Sequence, residues 1–147
     1  MDTDYLYEII VSPDGGSTGQ GLVKVIDCLE LLLRLPAVVV GDVECNGDRS
    51  WVQRPPFCST TQNVVDTARS IAQFDWATFF FFPHPPSEGV VTYQFEDLFA
   101  HAELVIRAVD DTYFYVYSAH QDDAYRLSKL FPVEFQRKGK NAIVHPF

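Results

Sequence analysis

Four consecutive phenylalanines, Phe79 to Phe82, follow Asp75-Trp76-Ala77-Thr78, and no other segment limits the fold of this chain so tightly. Successive side chains of a strand point to opposite faces of its sheet, so this run gives two phenylalanines to each face and has no wet side. A half-exposed edge strand is excluded. Residues 75–82 are therefore expected at the centre of a sheet covered on both faces, with helices as the cover.

The flanking segments read as the rest of that sheet and its helices. Residues 5–12, rich in β-branched and aromatic side chains, form a first strand that turns at Pro13-Asp14-Gly15-Gly16. Residues 20–34 place Lys24, Asp27, Glu30 and Arg34 on one narrow stripe among Leu, Val and Ile, which predicts a helix buried around most of its circumference and ended by Pro36. Residues 37–44 read as a strand turning at Asn46-Gly47-Asp48, and 49–53 as a short strand stopped by Pro55-Pro56. A second helix is expected over about 59–72: Ser59 and Gln62 make a capping box, and Val64, Val65, Ala68, Ile71 and Ala72 share a face.

After a loop at 83–89, the pattern predicts a strand at 90–95, a helical turn near 96–101, and a hairpin of strands 103–109 and 112–118. A last helix over about 119–130 takes Ser118 as its cap, with Asp122 and Asp123 in its first turn facing the positive helix end. The tail from about 132 to 147 is basic and extended, with room for a final strand. The expected fold is α+β, a single domain over 1–147, with a mixed or mainly antiparallel sheet of about five to seven strands and three helices. A chain of 147 residues fits one domain, and its 47% apolar and 14% aromatic content excludes disorder despite a net charge of −9.

That charge is unevenly spread. Residues 1–125 carry 19 acidic and 6 basic side chains, whereas residues 126–147 carry 1 and 5. An acidic body attracts cationic partners and repels free nucleic acid. The acidic N-terminus and the lack of an apolar run of the ~20 residues a span requires predict a cytoplasmic protein with no membrane partner.

Motifs that carry chemistry are sparse. The segment Gly15-Gly16-Ser17-Thr18-Gly19-Gln20-Gly21 lies where a phosphate loop belongs, but Leu22 stands where a P-loop needs Lys and Lys24 where a dinucleotide fingerprint needs Gly. It reads as a flexible turn. Cys28, Cys45 and Cys58 lack paired spacing and read as reduced thiols, and His84, His101, His120 and His145 are scattered. No metal site and no cofactor are expected.

Carboxylates, by contrast, are concentrated: Glu96-Asp97, Asp110-Asp111, Asp122-Asp123, and the group Asp42, Glu44 and Asp48 near Trp51. If Asp110-Asp111-Thr112 form a three-residue loop, Leu104, Ile106 and Ala108 share a core face with Phe114 and Val116. Tyr113, Tyr115 and Tyr117 then lie on the opposite face beside Val105, Arg107 and Val109. Those tyrosines are either covered by a helix, or exposed as an aromatic stripe between acidic pairs, which is how a surface for a basic protein is built.

Residues 103–131, a strand, Asp-Asp-Thr, Tyr-Phe-Tyr-Val-Tyr-Ser and an acid-started amphipathic helix, resemble the C-terminal part of small bacterial immunity proteins. The stretch Phe74 to Phe82 adds to the resemblance. It implies a cytosolic protein with no catalytic centre that neutralises a cognate toxin by masking its active site or an essential surface.

Charge and resemblance agree on a first expectation: a non-catalytic inhibitor of a basic toxin or effector, a nuclease among them, that makes no direct contact with nucleic acid. Its binding residues are expected to be Asp110, Asp111, Tyr113, Tyr115, Tyr117, Asp122 and Asp123, with Asp42, Glu44, Asp48 and Trp51 as a second patch. A second reading is an acidic nucleic-acid mimic or a regulator of a DNA-binding protein. A third is a small enzyme whose pocket is assembled from His84, His101, Cys58 and Glu96.

Overall fold

Residues 71–82 form the longest strand of a computed structural model that describes residues 5–13, 17–52, 55–86, 95–110 and 112–139. The elements are β1 (Tyr5–Val11), α1 (Thr18–Cys28), α2 (Leu31–Arg34), β2 (Ala37–Gly47), β3 (Phe57–Thr60), α3 (Thr61–Ala68), β4 (Ile71–Phe82), α4 (Phe95–His101), β5 (Leu104–Val109), β6 (Tyr113–Ser118), α5 (Gln121–Ser128) and β7 (Val133–Gly139). The fold is α+β: seven strands in the order β3-β2-β4-β5-β6-β1-β7, every neighbouring pair antiparallel.

The phenylalanine run lies in the interior of this sheet. Phe79 stands between Val40 and Ile106, and Phe80 between Val39 and Val105. On the first face, Phe79 and Phe81 pack with Leu22 and Ile26 of α1, Val64, Val65 and Ala68 of α3, and Ala124 and Leu127 of α5. On the second face, Phe80 and Phe82 pack with Phe95, Leu98 and Phe99 of α4. Full burial of each such ring is worth on the order of 1.5–3 kcal/mol. Among the described residues no helix is long and apolar enough to cross a membrane.

Several boundaries differ from the sequence expectation. The helix expected over 20–34 is two segments, because Glu30 adopts a left-handed conformation (φ 55°) between α1 and α2. The break buries Leu31 while Leu33 stays exposed, and Arg34 Nη1 donates to the Leu29 carbonyl at 2.8 Å where the helical ladder stops. Residues 49–52 are turns rather than a strand, and β3 comes instead from Phe57–Thr60 beyond the prolines. Helix α3 is capped by Thr60, whose hydroxyl accepts from Asn63 N, not by Ser59. It ends before Ile71 and Ala72, which open β4; over so short a run apolar spacing serves helix and strand alike.

At α5 the residue before the first turn is His120, which makes no side-chain cap bond. Ser118 Oγ accepts from His120 N and donates to Asp123 Oδ2 at 2.6 Å. Residues 133–139 are the seventh strand, so the basic segment is built into the sheet beside β1. The expected strand at 90–95 falls outside the described residues except for Phe95, which opens α4. Residues 14–16, 53 and 140–147, parts of the expected turn, strand and tail, also lie outside them.

The described part of the glycine-rich segment, residues 17–21, is a docking device. Ser17 caps α1, accepting from Gln20 N, and its hydroxyl donates to the Ile71 carbonyl at 2.9 Å. Thr18 Oγ1 accepts from Phe74 N at 2.7 Å. These bonds draw the helix start onto β4, and a Cβ on Gly19 would overlap the carbonyl oxygens of Ile71 and Ala68. Gly19→Ala is therefore expected to destabilise the protein by at least about 1–3 kcal/mol, read as a lower urea midpoint; an unchanged midpoint would show that α1 does not need this close approach.

Candidate functional site

The second face of the sheet is covered unevenly. Helix α4 closes one end: Phe95 meets Phe80 edge-on at 5.7 Å, and Phe99 meets Tyr117 at 5.5 Å. Beyond that helix the register lays out further rows on the same face. One runs Thr78, Arg107, Tyr115, Ile10, Glu134; the next runs Glu44, Trp76, Val109, Tyr113. The tyrosine stripe thus passes from cover to exposure: Tyr117 is 2% exposed, Tyr115 half-buried and Tyr113 41% exposed. Both alternatives for the stripe occur, each at one end.

At the exposed end lies a groove of about 650 Å³ lined by Ile10, Ser12, Tyr113, Tyr115, Pro132, Val133 and Glu134. A smaller depression of about 180 Å³ adjoins it through Ile10 and Glu134 and reaches Glu8, Phe135 and Gln136. The walls are aromatic and aliphatic and the charge is negative. The Glu134 side chain has no hydrogen-bond or ion-pair partner among the described residues, and exposed Asp110 stands at the hairpin tip beside Tyr113 in a left-handed conformation (φ 54°).

One row along from the groove, at the smaller depression, Glu8 is buried and fully engaged. Its Oε2 accepts from Tyr117 Oη at 2.9 Å and from Lys138 Nζ at 3.2 Å, and its Oε1 accepts from Gln136 Nε2 at 3.2 Å. Burial disfavours this carboxylate, but the three donors and the Lys138 charge outweigh it and hold its pKa below the ordinary value. Burial raises the pKa of the Tyr117 hydroxyl, reinforced by Glu8 and opposed by Arg107, whose guanidinium carbon lies 5.6 Å from the ring centre and whose Nη1 donates to the hydroxyl.

The other residues expected at a binding surface are dispersed. Asp123 is 1% exposed on the first face, paired with Arg34 at 3.0 Å, so it presents nothing to a partner. Asp122 is exposed on the same helix, across the sheet from the tyrosines. Asp111 lies outside the described residues. Trp51 is 3% exposed and packs edge-on against Phe79 at 5.9 Å, which removes it from any surface patch. Glu44 pairs with Arg49 at 3.7 Å, Asp48 Oδ1 accepts from Ser50 N at 2.9 Å, and Asp42 is exposed at an irregularity of β2. None of His84, His101, Cys58 and Glu96 lines the groove. Among the described residues no three His, Cys, Asp or Glu side chains converge as a metal site needs.

Sequence reasoning missed Ile10, Ser12, Pro132, Val133 and Glu134. The alternation of β1 was visible, but which strands flank it was not. Comparison with family models, with curated proteins and with solved structures finds no match to this chain.

Asp123 and Asp110 should separate in stability measurements. Asp123→Ala removes the carboxylate to which Arg34 and Ser118 both donate and is expected to cost about 2–4 kcal/mol, while Asp110→Asn changes stability by less than about 0.5 kcal/mol. Equal effects in thermal unfolding would overturn this assignment. Because the folded pKa of Glu8 is depressed, its contribution is present above the unfolded value of 4.5 and lost as pH falls through the folded value. Glu8→Gln should therefore flatten the loss of stability below about pH 4.5 seen by urea titration, and a parallel acid profile would refute the Glu8 role.

Proposed function

We propose that this protein is a non-catalytic inhibitor of the immunity-protein kind, which binds a basic toxin or effector through the uncovered part of its second sheet face. The observation that carries this reading is the groove itself: Tyr113 and Tyr115 wall a space that also takes in Glu134, with exposed Asp110 at the adjoining hairpin tip and Trp76, 44% exposed, farther along the face. Tyrosines held by a strand bury area with little further loss of freedom, and their ring faces accept guanidinium or ammonium groups. The adjacent carboxylates supply charge complementarity, which governs encounter rate more than final affinity. A body with 19 acidic and 6 basic residues adds long-range attraction for a cationic partner.

The test is affinity capture with the protein as bait at low and high salt, with the product of the adjacent gene included. One stoichiometric basic partner whose toxicity the bait abolishes is expected; no partner at either salt overturns the proposal. With that partner in hand, Tyr115→Ala should weaken binding about thirtyfold or more through faster dissociation. Asp110→Asn with Glu134→Gln should slow association and flatten its salt dependence, and an unchanged on-rate removes the electrostatic part of the reading.

A further inference from the structure

Strand β7 pairs with β1 along one edge, and among the described residues no strand pairs with its other edge. The pairing runs from Tyr5↔Gly139 to Val11↔Val133 without a register shift, so no bulge twists this edge away, and residues 134–137 are exposed. A regular edge of this kind offers a row of backbone donors and acceptors to another strand. What distinguishes it is its sequence, Val133-Glu134-Phe135-Gln136-Arg137-Lys138-Gly139, which is complementary to itself when reversed.

We propose that β7 is the seam of a symmetric homodimer, in which the β7 strands of two copies pair antiparallel about a two-fold axis at Gln136. Directly opposite residues then sum to the same register. On the second face, Glu134 of each copy meets Lys138 of the other, and Gln136 meets its own copy. On the first face, Phe135 meets Arg137 of the other copy, an aromatic ring against a guanidinium. A two-fold axis makes each favourable pair occur twice, as an isologous interface requires. Centred one residue to either side, the register would instead bring Glu134 opposite Gln136 or Arg137 opposite itself, and the ion pairs would be lost.

Apolar surface adjoins the seam. Phe135 is 40% and Tyr125 52% exposed, and their rings meet edge-on at 6.1 Å on the first face beside the edge. Pairing two copies brings these rings toward one another and gives the interface an apolar core next to its ion pairs. Counting Glu8 of the adjoining strand, which Lys138 also contacts at 3.2 Å, the seam carries two cations and two anions per copy and so adds no net repulsion between copies. Both grooves would then open on the same face, one on each side of the axis, with Glu134 taken into the seam and Tyr113 and Tyr115 left to the groove.

Multi-angle light scattering of the full chain over a concentration series tests this. The expected mass rises towards twice 16.7 kDa, and Glu134→Lys, which sets lysine against lysine twice, weakens the dimer at least about tenfold. An equimolar mixture of Glu134→Lys and Lys138→Glu should associate where neither does alone, since each copy then supplies what the other lacks. Lys138→Glu also places a carboxylate beside Glu8; if that variant does not fold, the wild-type mass and Glu134→Lys decide. A mass of 16.7 kDa at every concentration overturns the proposal, as does a dimer that Glu134→Lys leaves unchanged.

Discussion

The requirement that both faces of β4 stay dry organises the rest of the molecule. Phe79 and Phe81 point to one face, Phe80 and Phe82 to the other, and all four are at most 4% exposed. The described chain meets this with unequal means. Helices α1, α3 and α5 lie over the first face, and α4 alone packs on the second, where it reaches the Phe80–Phe82 end. Among the described residues no other helix packs on the remaining rows of the second face, whose larger side chains are amphipathic: tyrosine, tryptophan, arginine and glutamate. A surface that is at once aromatic and charged follows from this shortage of helical cover.

The carboxylates do different work according to where the fold leaves them. Glu8 and Asp123 are nearly water-free, and each is met by a cation and by hydroxyl or amide donors, which is the condition under which a buried charge is tolerated. Glu8 binds the edge strand β7 to β1 and β6, and Asp123 binds α5 to the break between α1 and α2. Glu134 and Asp110 keep their solvation and therefore their availability to a cationic group. Net charge alone does not separate these classes. The basic C-terminal segment also has an internal use, since Lys138 neutralises Glu8 in the strand beside it.

Parts of the fold were legible because they are local. The hairpin of β5 and β6 closes at Val109↔Tyr113, as the alternation of Leu104, Ile106 and Ala108 against Phe114 and Val116 requires. The interior position of Phe79 to Phe82 followed from the pleat alone. Other boundaries misled for a physical reason. Leu, Val and Ile over 20–34 fit a straight helix, but Glu30 turns the chain so that Arg34 can reach Leu29 and Asp123. The apolar Ile71 extends the periodicity of α3, yet its backbone is taken by β4, where its carbonyl accepts from Ser17. Gly19 looked like turn chemistry and is instead the point where a helix touches a strand.

By itself the sequence determined which side chains share a face within each strand, that β4 must be interior, and that the body is acidic. These depend on the two-residue period of a strand and on counting charges. Tertiary structure alone decided that β1 lies between β6 and β7, and so that Ile10, Tyr115 and Glu134 form one row of a groove. It likewise decided that of three tyrosines in one stripe, one is sealed under Phe99 and one faces water. Strand order and helix placement are set by summed burial across segments far apart in the chain, and a local pattern carries no record of which distant segment will be its neighbour.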